Sequence, residues 1–117
     1  MIERRSGDII VLIFESPFPH EGDEVEELLK MIEDGLSHGH RRLVVSLAGV
    51  EALKALALGV LKRGTERCRE QGGHLVVCCV QSKHVKQVFR LSKLDTFLTI
   101  CDSEAAALAY LDKPVSA

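Results

Sequence analysis

Residues 43–80 have the sequence LVVSLAGVEALKALALGVLKRGTERCREQGGHLVVCCV, which contains a complete strand–helix–strand unit. The apolar runs Leu43–Val45 and Leu75–Val77 are rich in β-branched residues, as is typical of strands buried on both faces of a sheet. Between them, an apolar stripe recurs at spacings of three and four: Leu58, Leu61, Thr65 and Cys68. This spacing predicts an amphipathic helix that ends at Gly72-Gly73, because glycine readily takes the left-handed conformation at a helix C-terminus. The unit predicts two parallel strands joined by a right-handed crossover.

The N-terminal residues predict a hairpin at the edge of this sheet. Asp8–Phe14 is a largely apolar run that favours a strand, and Ile2–Arg5 can pair with it across Ser6-Gly7. We expect a loop over Glu15–Gly22, since its two prolines lack a backbone donor and restrain the residues before them.

A helix is expected to start near residue 23. Asp23 and Glu26 form a variant of the capping box that marks a helix N-terminus. Its apolar face is formed by Val25, Leu28, Leu29, Ile32 and Leu36. The opposite face is acidic, and such charge runs are usually solvated surfaces.

Two more helices are predicted after residue 80. The first has Ser82 as its N-cap. Its inward side chains are Val85, Val88 and Phe89, and its outward ones are Lys83, Lys86, Arg90 and Lys93. The second helix, Glu104 to Leu111, begins at Asp102 or Ser103. It is expected to pack some combination of Ala106, Leu108, Ala109 and Leu111. Residues 112–117 are expected to fray.

Length and composition indicate one globular domain. The chain has 117 residues, of which 46% are hydrophobic and 27% charged, enough for a continuous core. A formal net charge of -2 gives no basic footprint for nucleic acid. The sequence has no apolar run near the roughly 20 residues that a membrane helix requires, and its N-terminus lacks the pattern of a signal sequence. We expect a cytoplasmic protein with no nucleic-acid or membrane partner.

The cysteines and histidines lack the spacing of a metal site. There is no CxxC pair, and Cys78 and Cys79 are neighbours in a predicted strand, so their side chains should point to opposite faces. We interpret Cys68 and the other cysteines as small buried hydrophobes that stay reduced in the cytosol. His38-Gly39-His40 is expected at the C-terminal end of a helix, where positive charge complements the helix dipole. We predict no metal and no cofactor.

The sequence contains none of the common catalytic signatures. The motifs GxGxxG, GxxxxGK[ST], GxSxG and HExxH are all absent. The carboxylates of residues 21–33 cluster on one side of a predicted helix, which favours solvation over an acid–base pair. The sequence therefore predicts a protein that is not an enzyme.

The order of these segments resembles the STAS domain, a family of bacterial anti-sigma factor antagonists. Leu58-Gly59-Val60-Leu61 and Gly72-Gly73 match the family pattern in place, and Val85–Asp95 is similar to the segment that follows the second strand. The resemblance covers about residues 8–111. It implies a single STAS-like α/β domain over residues 1–117, with a mixed, mostly parallel sheet of four to five strands, an antiparallel N-terminal edge and about four helices.

The turn that acts as the family's switch differs in this chain. Lys54-Ala55-Leu56-Ala57 stands where the family has Asp-Ser-Ser-Gly, and Ser46 replaces the Asp that usually ends the preceding strand. In members that switch, a partner kinase phosphorylates the first Ser of the turn, where a helix N-terminus favours an anion. Ala55 has no hydroxyl to accept phosphate, and no Ser or Thr lies between Gly49 and Gly64. Ser46 is a less suitable acceptor because it is expected at a strand end.

The resemblance implies a signalling or interaction domain that takes part in transcription regulation by partner switching. Its partner would be a regulatory protein, such as a kinase-like anti-sigma factor, that binds the start of the second helix. The residues assigned to this surface are Lys54, Ala55, Leu56, Ala57 and Leu58. With Ala55 as a degenerate phosphorylation site, phosphorylation of this turn is not expected to release the partner. Lys93 replaces a family Gly, so we also expect a rearranged loop after the third helix.

The alternative is a structural or assembly module. If Ala55-Leu56-Ala57 forms an exposed apolar patch, the patch marks an interface without identifying the partner. Self-association, or packing into a larger complex through the same residues, therefore stays open. Nucleotide binding, which has been proposed for some STAS domains, stays open as well.

Overall fold

A computed structural model describes residues 1–112 and shows strands alternating with helices. The strands are β1 (Ile2–Ser6), β2 (Ile9–Ile13), β3 (Arg42–Ser46), β4 (His74–Cys78) and β5 (Thr99–Cys101). The α-helices are α1 (Glu24–Ser37), α2 (Ala55–Glu70), α3 (Lys83–Leu91), α4 (Leu94–Phe97) and α5 (Glu104–Asp112). The predicted α/β class is confirmed. The short α4 was not predicted, and within the expected loop Glu15–Gly22 residues Pro19–Glu21 form one turn of 3-10 helix.

The strands form one sheet in the order β1-β2-β3-β4-β5. β1 and β2 are antiparallel and pair from Ile2 opposite Ile13 to Ser6 opposite Ile9, with Gly7 at a φ of 63° in the turn. The pairs β2–β3, β3–β4 and β4–β5 are all parallel. The mostly parallel sheet with an antiparallel N-terminal edge is therefore confirmed.

The two faces of the sheet bury two separate apolar layers. On one face, alternate residues of β2, β3 and β4 pack against α1, α2 and α3. On the other face, the intervening residues pack against α5. Leu43–Val45 and Leu75–Val77 are buried throughout, as expected for strands that are covered on both faces.

α1 and α2 meet at a glycine and at an ion pair. A Cβ at Gly64 would lie 2.8 Å from Cδ1 of Ile32, so a larger residue there would require the end of the Ile32 side chain to move. Arg67 on α2 donates from Nε and Nη2 to the two carboxylate oxygens of Glu33 on α1, at 3.1 and 3.0 Å. At the end of α2, Gly72 has a φ of 78°, which confirms the predicted stop.

The predicted capping box at the start of α1 is wrong. Asp23 occupies the N-cap position, but over residues 1–112 its side chain makes no capping hydrogen bond. The buried carboxylate of Glu24 instead accepts hydrogen bonds from the backbone N–H groups of Glu15 and Ser16, each at 2.8 Å. Burial alone would raise the pKa of Glu24, but these amides and the nearby N-terminal amine outweigh it, and the pKa is lowered. The carboxylate thus holds the preceding loop rather than the helix start.

The side chains through which α5 packs on the sheet were predicted only in part. Ala107 and Leu111 are buried, Leu108 is partly buried, and Ala106 and Ala109 are exposed. The i, i+4 pair at 107 and 111 therefore forms the contact line, because residues four apart share a helix face.

The expected frayed tail lies mostly outside the described residues. Asp112 is the last residue of α5, and its carboxylate lies 3.7 Å from the Arg42 guanidinium; the fraying expected from this residue stays a prediction. The remaining residues, 113–117, are not described. Over residues 1–112, no helix combines the length and apolarity that crossing a membrane requires.

Candidate functional site

The start of α2 lies at the carboxyl edge of the parallel strands, where backbone hydrogen bonds fix the loop that precedes it. β3 ends at Ser46, and the N–H of Leu47 donates to the carbonyl of Cys78 at the end of β4, at 3.0 Å. Farther along the loop, the N–H of Glu51 donates to the carbonyl of Pro17 at 2.8 Å. The loop is therefore anchored to β4 and to the segment before α1, and α2 starts from a fixed position.

The first turn of α2 divides the five predicted site residues into two groups. Lys54 and Ala55 are exposed, and the Leu56 side chain is 65% exposed. Ala57 is only 1% exposed, and Leu58 is partly buried against the core. The predicted exposed patch Ala55-Leu56-Ala57 is therefore wrong at Ala57.

Helix geometry explains the burial of Ala57. It lies four residues before Leu61, seven before Gly64 and eleven before Cys68, all of which are buried. Residues at these spacings share one helix face, so Ala57 continues the apolar stripe of α2 inward. The surface that reaches solvent is formed by Lys54, Ala55 and Leu56, which we call the α2 start surface.

The α2 start surface has an unusual charge for a helix N-terminus. Lys54 is the N-cap residue, with an extended backbone. Its ammonium cannot accept a hydrogen bond from the first amides, and its positive charge opposes the positive end of the helix dipole. The first intrahelical bond runs from the N–H of Leu58 to the carbonyl of Lys54 at 3.2 Å. The backbone donors before Leu58 therefore have no intrahelical acceptor.

A depression of about 520 Å³ adjoins the loop before α2. Its lining residues are Gly49, Val50, Glu51, Gln81, Ser82, Lys83 and His84. The Ser82 hydroxyl donates to the carbonyl of Glu51 at 2.8 Å and accepts from the N–H of Val85 at 3.3 Å. The predicted Ser82 cap is confirmed, and the same residue joins the start of α3 to the α2 loop.

Sequence reasoning did not include the residues of this depression in the site. Glu51, Lys83 and His84 are exposed. Glu51 precedes Lys54 in the loop, whereas Lys83 and His84 belong to a different helix and lie far from Leu56 along the chain. A signal was available, because the helices that follow parallel strands begin at the same edge of a sheet.

The two hydroxyl side chains within residues 46–65 are buried. Ser46 ends β3, as expected, and is buried. Thr65 is also buried and donates its hydroxyl hydrogen to the carbonyl of Leu61 at 2.8 Å. Residues 46–65 contain no other Ser or Thr, so a kinase has no accessible hydroxyl in this segment.

The expectation that Cys78 and Cys79 point to opposite faces is wrong. β4 ends at Cys78, and Cys79 leaves the strand with a φ of 63°, so the alternation of a strand does not apply to it. The Sγ atoms of Cys78 and Cys79 lie 3.5 Å apart. Burial raises the pKa of Cys68 to about 11. Burial is also the main cause at Cys78, where the contact with Cys79 adds to it and the pKa is raised to about 12.

The remaining candidate ligands are not arranged around a common centre. Cys68 and Cys78 are buried as expected, whereas Cys79 and Cys101 are partly exposed. His38 is the C-cap of α1, as predicted, and its Nδ1 lies 2.8 Å from the carbonyl of Asp34. In the part of the chain that the structure describes, no group of three His, Cys, Asp or Glu residues is placed to hold a metal.

Known proteins share this fold over nearly the whole chain. Residues 21–100 match the family model described as "Mlab, STAS domain". A protein described as an anti-sigma factor antagonist from Thermotoga maritima is 19% identical, with a TM-score of 0.79 over 96% of this chain and 94% of that one. A STAS domain protein from Planctomyces limnophilus is 20% identical, with a TM-score of 0.78 over 96% of this chain and 97% of that one. The Bacillus cell fate determinant SpoIIAA, solved in its phosphorylated form, is 15% identical, with a TM-score of 0.66 over 93% and 96% of the two chains.

Proposed function

Because this chain belongs to the STAS domain family, we propose that it is a non-enzymatic, anti-sigma factor antagonist-like domain that binds a kinase-like anti-sigma factor through the α2 start surface. The observation that supports this most directly is Leu56, which is 65% exposed on the first turn of a long helix. An exposed leucine is by itself common on protein surfaces, so the support comes from where Leu56 lies: beside Lys54, at the helix start that corresponds to the family's switch turn.

The charge and apolarity of this surface indicate what kind of partner surface would complement it. Leu56 supplies an apolar contact, and Lys54 beside it supplies a positive charge. The neighbouring depression adds Lys83 and His84, and Glu51 also lines it. A matching partner has an apolar pocket for Leu56 and acidic groups around it, since complementary charges orient two proteins as they meet.

Binding at this surface is not switched by phosphorylation. Ala55 has no hydroxyl, and both Ser46 and Thr65 are buried. The complex therefore forms constitutively or is regulated elsewhere in the molecule. We place the protein in the cytoplasm, where its kinase-like partner and its free thiols are expected to occur together.

Isothermal titration of the purified kinase-like anti-sigma factor of the source organism tests the proposal. Leu56→Asp is expected to weaken binding at least tenfold, because it places a charge against an apolar pocket. Leu91→Asp is the matched control, since Leu91 is 73% exposed at the far end of α3. Equal affinities for Leu56→Asp and Leu91→Asp would contradict docking at the α2 start surface.

The assembly alternative gives a different result with the same variants. Light scattering of the isolated protein is expected to show a monomer for the wild type and for both leucine variants. A wild-type oligomer that Leu56→Asp converts to monomers, and that Leu91→Asp leaves intact, would instead assign the surface to self-association.

A further inference from the structure

Two adjacent thiols at the end of β4 form a cluster that the proposed interaction does not use. The Sγ atom of Cys79 lies 3.5 Å from that of Cys78, within hydrogen-bonding distance for sulfur. Cys78 is fully buried against α5, whereas Cys79 is partly exposed. One thiol is therefore accessible to a small oxidant, and the other is held in contact with it behind the surface.

The backbone brings these two sulfur atoms together. Side chains of consecutive residues in a regular strand point to opposite faces. Cys79 instead has a φ of 63°, a left-handed conformation that is uncommon for residues other than glycine. Its N–H still donates to the carbonyl of Cys101 at 3.3 Å, which ties the turn to β5. Such conformations persist where the surrounding structure enforces them, and they concentrate at functional sites.

We propose that Cys78 and Cys79 are a redox modification site that a peroxide oxidises to a disulfide between the two neighbouring residues. The pair needs no partner protein, and the proposal does not depend on the function assigned to the α2 start surface.

The oxidation occurs in two balanced steps. The Cys79 thiolate attacks one oxygen of hydrogen peroxide, the O–O bond breaks, and the second oxygen leaves as water after it takes up a proton. Cys79 is then a sulfenic acid. The Cys78 sulfur attacks the Cys79 sulfur, the S–O bond breaks, and the hydroxyl leaves as water with the proton of the Cys78 thiol. Two thiols lose two electrons in total, and one hydrogen peroxide becomes two waters.

The disulfide is expected to be easy to reduce. Consecutive Cα atoms are about 3.8 Å apart, whereas unstrained disulfides join Cα atoms at about 4.4 Å or more. Strained disulfides have more oxidising potentials and are the labile, regulatory kind. The modification is therefore reversible by a mild thiol reductant.

Peptide mapping after peroxide treatment tests the proposal. Cleavage after Arg69 and Lys83 releases residues 70–83, which contain Cys78 and Cys79 and no other cysteine. Treatment of the folded protein with hydrogen peroxide, followed by alkylation, is expected to leave this peptide unalkylated and about 2 Da lighter through the loss of two hydrogens. Free thiols are expected to fall from the four of the reduced protein to two, and dithiothreitol is expected to restore them.

Two variants distinguish this site from general thiol oxidation. Cys79→Gly removes one sulfur and suits the left-handed conformation, so it should fold and keep its three remaining thiols after the same treatment. Cys101→Ser is the matched control, because Cys101 is also partly exposed, and it should still form the disulfide within residues 70–83. A wild-type peptide that is alkylated at both cysteines after peroxide, or a disulfide that joins either cysteine to Cys101 or Cys68, would overturn the proposal.

Discussion

A hydrogen bond from Ser82 to Glu51 joins the start of α3 to the loop before α2, yet the two helix starts have opposite local chemistry. At α3, the Ser82 hydroxyl accepts from the N–H of Val85 and so caps the helix. At α2, the N-cap residue is Lys54, which cannot accept such a bond, and Leu56 extends into solvent. Proteins usually depart from local stability rules where a surface has another use. α3 thus begins with a stabilising cap and α2 does not, which supports the proposal that the start of α2 is used for recognition.

The largest expected change is a loss of stability, and it should differ between the buried and the exposed side of the first turn of α2. Ala57→Arg is expected to destabilise the protein by about 3 kcal/mol or more, because it forces a charge into a fully packed position. Ala55→Arg, two residues earlier and exposed, is expected to change stability by less than about 0.5 kcal/mol. Urea denaturation measures both. Equal losses would show that residues 55 and 57 do not differ in burial.

A second variant tests the capped helix start. Ser82→Ala is expected to cost about 1–2 kcal/mol in urea denaturation, because the Val85 amide and the Glu51 carbonyl both lose a partner. Ser82→Asp keeps an acceptor for the amide but loses the donor, so it should recover part of the loss. If Ser82→Ala is as stable as the wild type, the hydrogen bonds of Ser82 do not contribute to stability, and the two helix starts differ in geometry but not in free energy.

A substitution at the N-cap of α2 is expected to have a smaller effect than Ala57→Arg or Ser82→Ala, and of the opposite sign. Lys54→Asp is expected to stabilise the protein by about 1 kcal/mol, since an aspartate both caps the first amides of α2 and suits the helix dipole. Lys54→Gln removes the charge without adding a good cap and should gain less. If Lys54→Asp destabilises the protein, Lys54 must stabilise it through an interaction other than capping or the helix dipole.

The central strands and α2 could be predicted from sequence because their signals are periodic. The β-branched runs at Leu43–Val45 and Leu75–Val77 and the stripe through Leu61 and Cys68 repeat with the periods of a strand and a helix. The same helical period includes Ala57 in the buried stripe. The resemblance to the family's switch turn predicted that Ala57 is exposed, whereas the helical period predicts that it is buried. The structure agrees with the helical period, since Ala57 is buried.

Other features had no sequence signal strong enough to predict them. Cys79 and Lys93 both adopt left-handed backbone conformations, with φ of 63° and 62°, which only glycine would have indicated. Lys93 takes this conformation at the position where the family usually has glycine. The hydrogen bonds from Glu15 and Ser16 to Glu24 depend on how a loop folds back, which local spacing does not encode. The partner-binding role of the α2 start surface stays a prediction.

The most direct test of the central claim is to add ATP and magnesium to a preformed complex of this protein with the purified kinase-like anti-sigma factor, and then to measure complex size and protein mass. A variant with Lys54→Asp, Ala55→Ser and Leu56→Ser serves as the positive control, because it restores a hydroxyl to the first turn. We predict that the wild-type complex persists and that its mass shows no added phosphate. Dissociation of the wild-type complex with phosphate within residues 46–65 would contradict the account.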